Sequence, residues 1–382
     1  MHPGHAPTPT RDGRPPRHPA RLRPLRRALA ATLTALLALP LAAHGTATAA
    51  ESAPHTAPGP LAAADFRGVN WAMPGDNFTD GPVVPEGLST ADDYATVRAK
   101  AAAVYEGFAN TIGANTVRLP VNTSSAPGTS WGDAYAGAVD EATRRGFRVI
   151  LSYWEDGASA NGRIVDRAAY EAMWDAVVDR WQSDELVFFE PMNEPYGYGA
   201  GEWADLAADW IADHPTVPRE RIVVSGHGYN GDVTTVCADS RLAGTHLSLH
   251  LYAFQFPEMS EEAWRELFAA RVGDCGSRTV LDEFGAPMDD GRDYNAQDSE
   301  DNFVRYIRAA TDSVRSLHMG AVYWPALGGK HTQRPDHDWY SLYALQGSGT
   351  RLTLSLRNSS IVDRLHHAWA LDAQAPSRTA TR

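Results

Sequence analysis

Residues 148–195 read RVILSYWEDGASANGRIVDRAAYEAMWDAVVDRWQSDELVFFEPMNEP. An apolar run rich in β-branched and aromatic residues (148–154) leads into apolar residues at helical spacing (168–181), then into a second apolar run (186–192). Strand, helix and strand in this span, with both strands apolar almost throughout, describe a parallel sheet covered on both faces.

Working outward, the same unit recurs. Further strand candidates lie at 66–71, 115–121, 221–226, 247–254, 279–285 and 320–326, with starts about 26 to 50 residues apart. That interval is the room that a strand, a loop and a helix require. Helical patterning fills most gaps, at 92–108 (after the cap candidates Ser89 and Thr90), 131–145, 202–211, 261–272 and 302–317. The gap after the fifth strand is weakest, with a short candidate at 233–238.

Eight strands alternating with helices predict an α/β fold of the (β/α)8 TIM barrel type, a single catalytic domain over residues 65–371. The alternative is a doubly wound open sheet, set aside on the expectation that no strand opens into a GxGxxG or a GxxxxGK[ST] loop. Beyond the eighth strand, SLYALQGSGTRLTLSL (341–356) predicts a small antiparallel hairpin around Gly347 and Gly349. A closing helix is expected near 360–370 and a disordered tail over 372–382.

The N-terminal residues differ in kind. Residues 1–49 carry seven arginines against one acid, Asp12, then the apolar run ALAATLTALLALPLAA (28–43) and Ala47-Thr48-Ala49. This is the pattern of a secretory signal peptide, and the protein is expected outside the cell with it removed. A membrane anchor fits less well, because the run falls short of the ~20 residues that span a bilayer and contains Pro40. A transit peptide is the other reading, and Arg26-Arg27 leaves twin-arginine export open. Residues 50–64, rich in Ala and Pro, read as a linker.

Losing residues 1–49 removes seven Arg and one Asp, taking the formal charge from −13 to −19. Such a surface repels nucleic-acid phosphates and anionic membranes, so neither is an expected partner. Cys237 and Cys275 are the two cysteines, and in an exported chain one disulfide is expected. Their spacing supports no metal site, His366-His367 lacks a third ligand, and no cofactor is implied. A monomer is the simplest expectation.

In barrels of this kind, chemistry sits at the C-terminal ends of the strands. Reading those ends gives Arg118 and Asn122, Tyr153 and Trp154, Asn193 and Glu194, His250 and Tyr252, Glu283, and Trp324. None of these strand ends carries a GxSxG elbow, and no HExxH occurs. Two glutamates on the fourth and seventh strands can face each other across the mouth, and glycoside hydrolysis needs one carboxylic acid and one carboxylate. Glu190, four residues before Glu194, is expected roughly 13 Å deeper at about 3.3 Å per residue, pairing a buried donor such as an arginine.

MNEP (192–195), HLY (250–252) and LDEFG (281–285), with Arg118 and Trp324, resemble glycoside hydrolase family 5, the retaining β-glycosidases of the cellulase type. The resemblance runs from about Phe66 to Trp369. It implies Glu194 as acid/base and Glu283 as nucleophile. It further implies that Asn193 holds the sugar's 2-hydroxyl, Tyr252 orients Glu283, His250 supports Glu194, Arg118 keeps the nucleophile ionised, and Trp324 floors the −1 subsite. The family usually places a His at the end of strand three; this chain reads LSYWED, with Trp154 there.

Trp71, Trp154, Tyr196, Tyr198, Tyr229, Phe254, Phe256 and Trp339 are candidate sugar platforms, and Asp76, Asn77, Glu155 and Asp156 candidate hydroxyl binders. His246 reads as structural. The expectation is a secreted retaining β-glycoside hydrolase acting on a polysaccharide such as β-glucan or mannan. An exo-acting enzyme on oligosaccharides, or on an unusual sugar, and a non-catalytic carbohydrate-binding barrel are the alternatives.

Overall fold

The structure, a computed structural model, describes residues 61–155 and 160–372. The expected signal peptide, most of the linker, Asp156 and residues 373–382 lie outside the described residues.

Eight parallel strands, β1 (Arg67–Pro74), β2 (Thr116–Val121), β3 (Arg148–Tyr153), β4 (Val187–Glu190), β5 (Val223–Ser225), β6 (His246–His250), β7 (Thr279–Glu283) and β8 (Gly320–Gly329), pair in the order β4-β3-β2-β1-β8-β7-β6-β5. One parallel bridge, Phe189 to Ile222, joins the two ends and closes the barrel. Helices lie between the strands: α1 (Tyr94–Ile112), α2 (Ser130–Arg144), α3 (Arg167–Trp181), α4 (Ala200–Asp213), α5 (His227–Asn230), α6 (Thr234–Ala238), α7 (Glu261–Val272) and α8 (Asn302–Ser316). This is the expected (β/α)8 barrel. The hairpin of β9 (Tyr343–Ser348) and β10 (Arg351–Leu356) and the closing helix α9 (Ser360–Ala368) follow, also as expected.

Alternation along the strands separates two cores. Val117, Leu119, Val149, Leu151, Val187, Phe189, Leu247, Leu249 and Leu281 join the large cluster shared with the helices. Their neighbours Ile150, Phe188, Val223, Val280 and Val322 form a second cluster with Phe66 and Ala63. Ala63 is fully buried and Leu61 packs beside it, so packing starts before the expected boundary at Asp65. His246 belongs to this layer, its ring 5.0 Å from Phe66. Burial pushes its pKa down to about 4, so it is neutral, as a structural histidine should be.

The start of α1 departs from expectation. The N-cap is Asp93, whose carboxylate accepts from Thr96 N, rather than Ser89 or Thr90. Cys237 in α6 and Cys275 in the 3-10 turn Gly273–Arg278 form the expected disulfide, spanning a sequence separation of 38. Among the described residues, no helix is long and apolar enough to cross a membrane.

The pairing of β6 and β7 shapes the site. It shifts register between Leu249 and His250, so that His250 lies opposite Glu283. Such irregularities re-aim side chains next to active sites.

Candidate active site

Above the apolar layer, the barrel interior turns polar around one guanidinium. Arg118 Nε and Nη2 grip the Glu190 carboxylate at 2.6 and 2.9 Å. Nη1 donates to Glu283 Oε1 at 2.7 Å and Asn70 Oδ1 at 3.1 Å, and Nη2 also reaches Ser152 Oγ and Asn193 Oδ1. The fork geometry of arginine suits this many acceptors, and a buried charge needs them. Burial opposes the charge on Arg118, but Glu190, Asp282 and Glu283 hold its pKa above the ordinary range. Trp154 covers the guanidinium at 4.6 Å.

Glu190 therefore has an arginine partner, but it is not a full extended stretch below Glu194. β4 ends at Glu190, and Glu194 sits at φ 46, which turns the chain back over the mouth. A single imidazole touches both levels. His250 Nδ1 lies 3.0 Å from Glu194 Oε1 and 3.5 Å from Glu283 Oε2, while Nε2 faces Asp282 Oδ1 at 3.4 Å. Oxygen atoms of Glu194 and Glu283 lie within 4.8 Å of each other, with His250 Nδ1 or Nε2 in the same group.

The electrostatics follow from these contacts. Burial alone would lower the His250 pKa, but Glu283, Asp282 and Glu194 lift it to about 10, so the ring is an imidazolium at neutral pH. Burial pushes the Glu283 carboxyl above the ordinary carboxylate range, with Glu194 adding to the push, while His250 and Arg118 offset part of it. Tyr252 donates its hydroxyl to Glu283 Oε2 at 2.9 Å. Two cations, Arg118 and His250, thus face four carboxyls, Glu190, Asp282, Glu194 and Glu283. Of the two facing glutamates, Glu194 is nearer solvent, with 19% of its side chain exposed against 7% for Glu283.

A cleft of ≈ 970 Å³ opens over this pair. It is lined by Asn193, Tyr252, Trp154 and Trp324 from the expected set, with the Trp154 and Trp324 rings stacked at 5.9 Å and 21°. Of the other candidate platforms, Tyr229, Phe254, Phe256 and Trp339 line the cleft as well. Trp71 instead is buried and donates to Glu86 O, Tyr196 backs Tyr229, and Tyr198 accepts from Ile164 N. Asp76 lines the cleft, but Asn77 is buried and caps Met73 N. Glu155 accepts backbone N–H bonds from Asn161, Gly162 and Arg163, so it staples a loop. Asn122 donates to Gly81 O, which likewise ties down a loop.

Several residues of the site escaped sequence reasoning. Asn230 is buried with φ 51; its Oδ1 accepts from Glu194 N at 3.1 Å and its Nδ2 donates to Ser248 Oγ at 2.6 Å. Contrary to expectation a GxGxxG string does follow a strand, Gly226-His227-Gly228-Tyr229-Asn230-Gly231 behind β5, but it forms the four-residue α5, which positions Asn230, rather than the loop of a doubly wound sheet. Asn70 holds Asp282 O, and Lys330 pairs with Asp76 at 3.4 Å across the cleft wall. Asp338 accepts from Lys330 N and Tyr340 N, and burial raises its pKa to about 6.

Among the described residues, two groups bring three possible metal ligands together, Glu190–His250–Asp282 and Glu194–His250–Glu283. Both need His250, whose Nδ1 faces Glu194 at 3.0 Å and whose Nε2 faces Asp282 at 3.4 Å. The arrangement suits proton transfer and attack by a carboxylate.

The sequence model of the cellulase family, glycosyl hydrolase family 5, matches residues 79–326. The chain belongs to glycosyl hydrolase family 5. It is accordingly a glycosidase that hydrolyses O-glycosyl compounds. No curated protein matches its sequence. Among solved structures, it is similar to the catalytic domain of the major endoglucanase from Xanthomonas campestris pv. campestris (19% identity, 80% of this chain and 94% of that one, TM-score 0.56). It is also similar to a β-glucanase from Saccharophagus degradans (18%, 81% and 88%, 0.53) and to an endocellulase from Pyrococcus horikoshii solved with cellotetraose (17%, 80% and 92%, 0.54). At these identities the likeness is one of fold.

Proposed function

We propose that this family 5 glycosidase is an exported retaining enzyme that cleaves a β-glucan internally by double displacement. The observation that carries the reading is the approach of Glu194 and Glu283 to within 4.8 Å. Retaining sites hold their carboxyls ~5–5.5 Å apart, whereas inverting sites need about 6.5–9.5 Å to seat a water between them.

In this mechanism Glu283, aimed by Arg118 and Tyr252, attacks the anomeric carbon. Glu194 protonates the departing oxygen, and a glycosyl ester forms on Glu283. Glu194 then takes a proton from water as it attacks the ester, and the imidazolium of His250 steadies Glu194 in its ionised phase. Stacked Trp324 and Trp154 offer an apolar floor for a pyranose ring. β-Glucan is the substrate class of the similar endoglucanase, β-glucanase and endocellulase.

A second reading, exo action on oligosaccharides, is favoured by one feature. Lys330 and Asp76, both lining the cleft, tie the loops after β8 and β1 together at 3.4 Å, as a wall that ends a row of subsites would require.

Viscometry and reducing-end release on a soluble β-glucan separate the two readings, since internal cleavage drops viscosity early. Proton NMR of the first-formed anomer tests the mechanism, and an α-anomer appearing first from a β-substrate would overturn retention. Replacement of Glu194 by Gln is expected to slow hydrolysis about 10²–10⁴-fold. Glu283→Ala should be at least as damaging, and wild-type activity in that variant would remove the assigned nucleophile.

A further inference from the structure

Consecutive side chains on a regular strand point to opposite faces. β7 departs from this at the site. Leu249 pairs with Leu281 and His250 with Glu283, so Asp282 has no partner on β6 and two residues of β7 oppose one. That is a bulge, the device that re-aims a side chain. Asn70 Nδ2 takes the Asp282 carbonyl at 2.7 Å, and the carboxyls of both Asp282 and Glu283 come to rest against one imidazole.

The two acids hold opposite edges of that ring. Glu283 lies 3.5 Å from Nδ1 and lines the cleft, whereas Asp282 is fully buried with Oδ1 3.4 Å from Nε2. Ser248 Oγ donates to the same oxygen at 2.6 Å, and Oδ2, 3.7 Å from Arg118 Nε, has no hydrogen-bond partner among the described residues. Asn230 Nδ2, 3.3 Å from Nε2, donates to Ser248 Oγ. The other titratable groups around the pair are Arg118 from β2, Glu190 at the end of β4, Glu194 beyond it, and Tyr252 after β6. A buried carboxyl with one oxygen unpaired is costly to keep for packing alone.

We propose that Asp282 is a positioning residue for the reaction: by holding His250 at Nε2, it keeps a proton on Nδ1, facing Glu194, through both half-reactions. The proposal rests on the retaining reading above. In the first half-reaction Glu194 gives its proton to the departing oxygen and becomes a carboxylate, while Glu283 bonds to the anomeric carbon and loses its charge. In the second, the oxygen of water bonds to that carbon, its proton passes to Glu194, and Glu283 is released as a carboxylate. Negative charge on the Nδ1 side therefore moves between two glutamates. Asp282, which takes no part in either exchange, is the constant anion on the other edge.

The test reads the protonation of His250 by proton–nitrogen NMR of the full enzyme carrying labelled histidine. Both ring nitrogens are expected to be protonated near pH ~8, before and after Glu283 is trapped as an ester by 2,4-dinitrophenyl 2-deoxy-2-fluoro-β-cellobioside. Asp282→Asn should lower the pH at which the ring deprotonates by about one to three units. It should also slow hydrolysis of phenyl β-cellobioside, which needs an acid, about tenfold more than that of the dinitrophenyl glycoside, which does not. A ring that loses a proton when the ester forms, a measurement that needs no variant, overturns the proposal alone. So does an Asp282→Asn ring that titrates as in the wild type. An enzyme that hydrolyses 2,4-dinitrophenyl β-cellobioside yet gains no fluorosugar by intact mass overturns the retaining reading and the proposal together.

Discussion

At the scale of single residues, the site is governed by how buried charges are matched. Arg118 and Glu190 are both fully buried and joined by two hydrogen bonds. Arg118 is the cation shared by Glu190 and Glu283, so Arg118→Met leaves buried carboxylates without it and should destabilise the fold by about 3–5 kcal/mol, measured by denaturant unfolding. Arg118→Lys keeps the charge but not the fork, and is expected to lower kcat by reducing the grip on Glu283 and Asn193. Two histidines give opposite pH dependences. The pKa of His250 is raised from 6.5 to about 10, so its contribution to stability is complete below pH 6.5 and is lost as pH rises toward 10. That of His246 is lowered to about 4, so stability is retained above pH 6.5 and lost as pH falls toward 4. Thermal melting across this range should show both slopes, with His250→Gln flattening the alkaline limb and His246→Leu the acid limb. Glu194 and Glu283 were legible in the sequence because MNEP and LDEFG are compact local patterns. Asn70 and Asn230 were not, since their roles depend on bonds to distant segments, such as Asn70 to Asp282 across 212 positions.

At the scale of elements, legibility followed length and periodicity. Helix α7 was expected at its observed bounds, and the β9–β10 hairpin where its glycines put it. β5, with three residues, and α6, with five, offered little pattern to read. This is also where side chains replace ladder bonds. Arg221, just before β5, reaches across to the carbonyl groups of Gln182, Asp184 and Val187, and Ser225 reaches Met192 O and Glu190. Replacing Arg221 with Met should speed amide exchange over residues 187–192 and 222–225 while leaving β1, β2 and β8 protected, as native-state hydrogen exchange would show. The disulfide closes a segment holding β6 and the Phe254 loop. Cys237→Ala with Cys275→Ala is expected to cost about 2–4 kcal/mol by denaturant unfolding.

For the whole molecule, eight strand candidates at regular intervals were enough to specify a barrel, because parallel strands joined by helices have few ways to cover both faces. The sequence did not show where that barrel is weakest. Along β1 the neighbouring strands are paired on both sides, whereas β4 and β5 meet through the lone bridge between Phe189 and Ile222. Glu194 and Asn230 stand directly beyond that join, one from each side, and are tied by a single hydrogen bond. Warming that loosens the join will part Glu194 from Asn230 while the remaining strands still hold. The enzyme should therefore have an inactivation temperature below its melting temperature, with activity returning on cooling as the two edges rejoin.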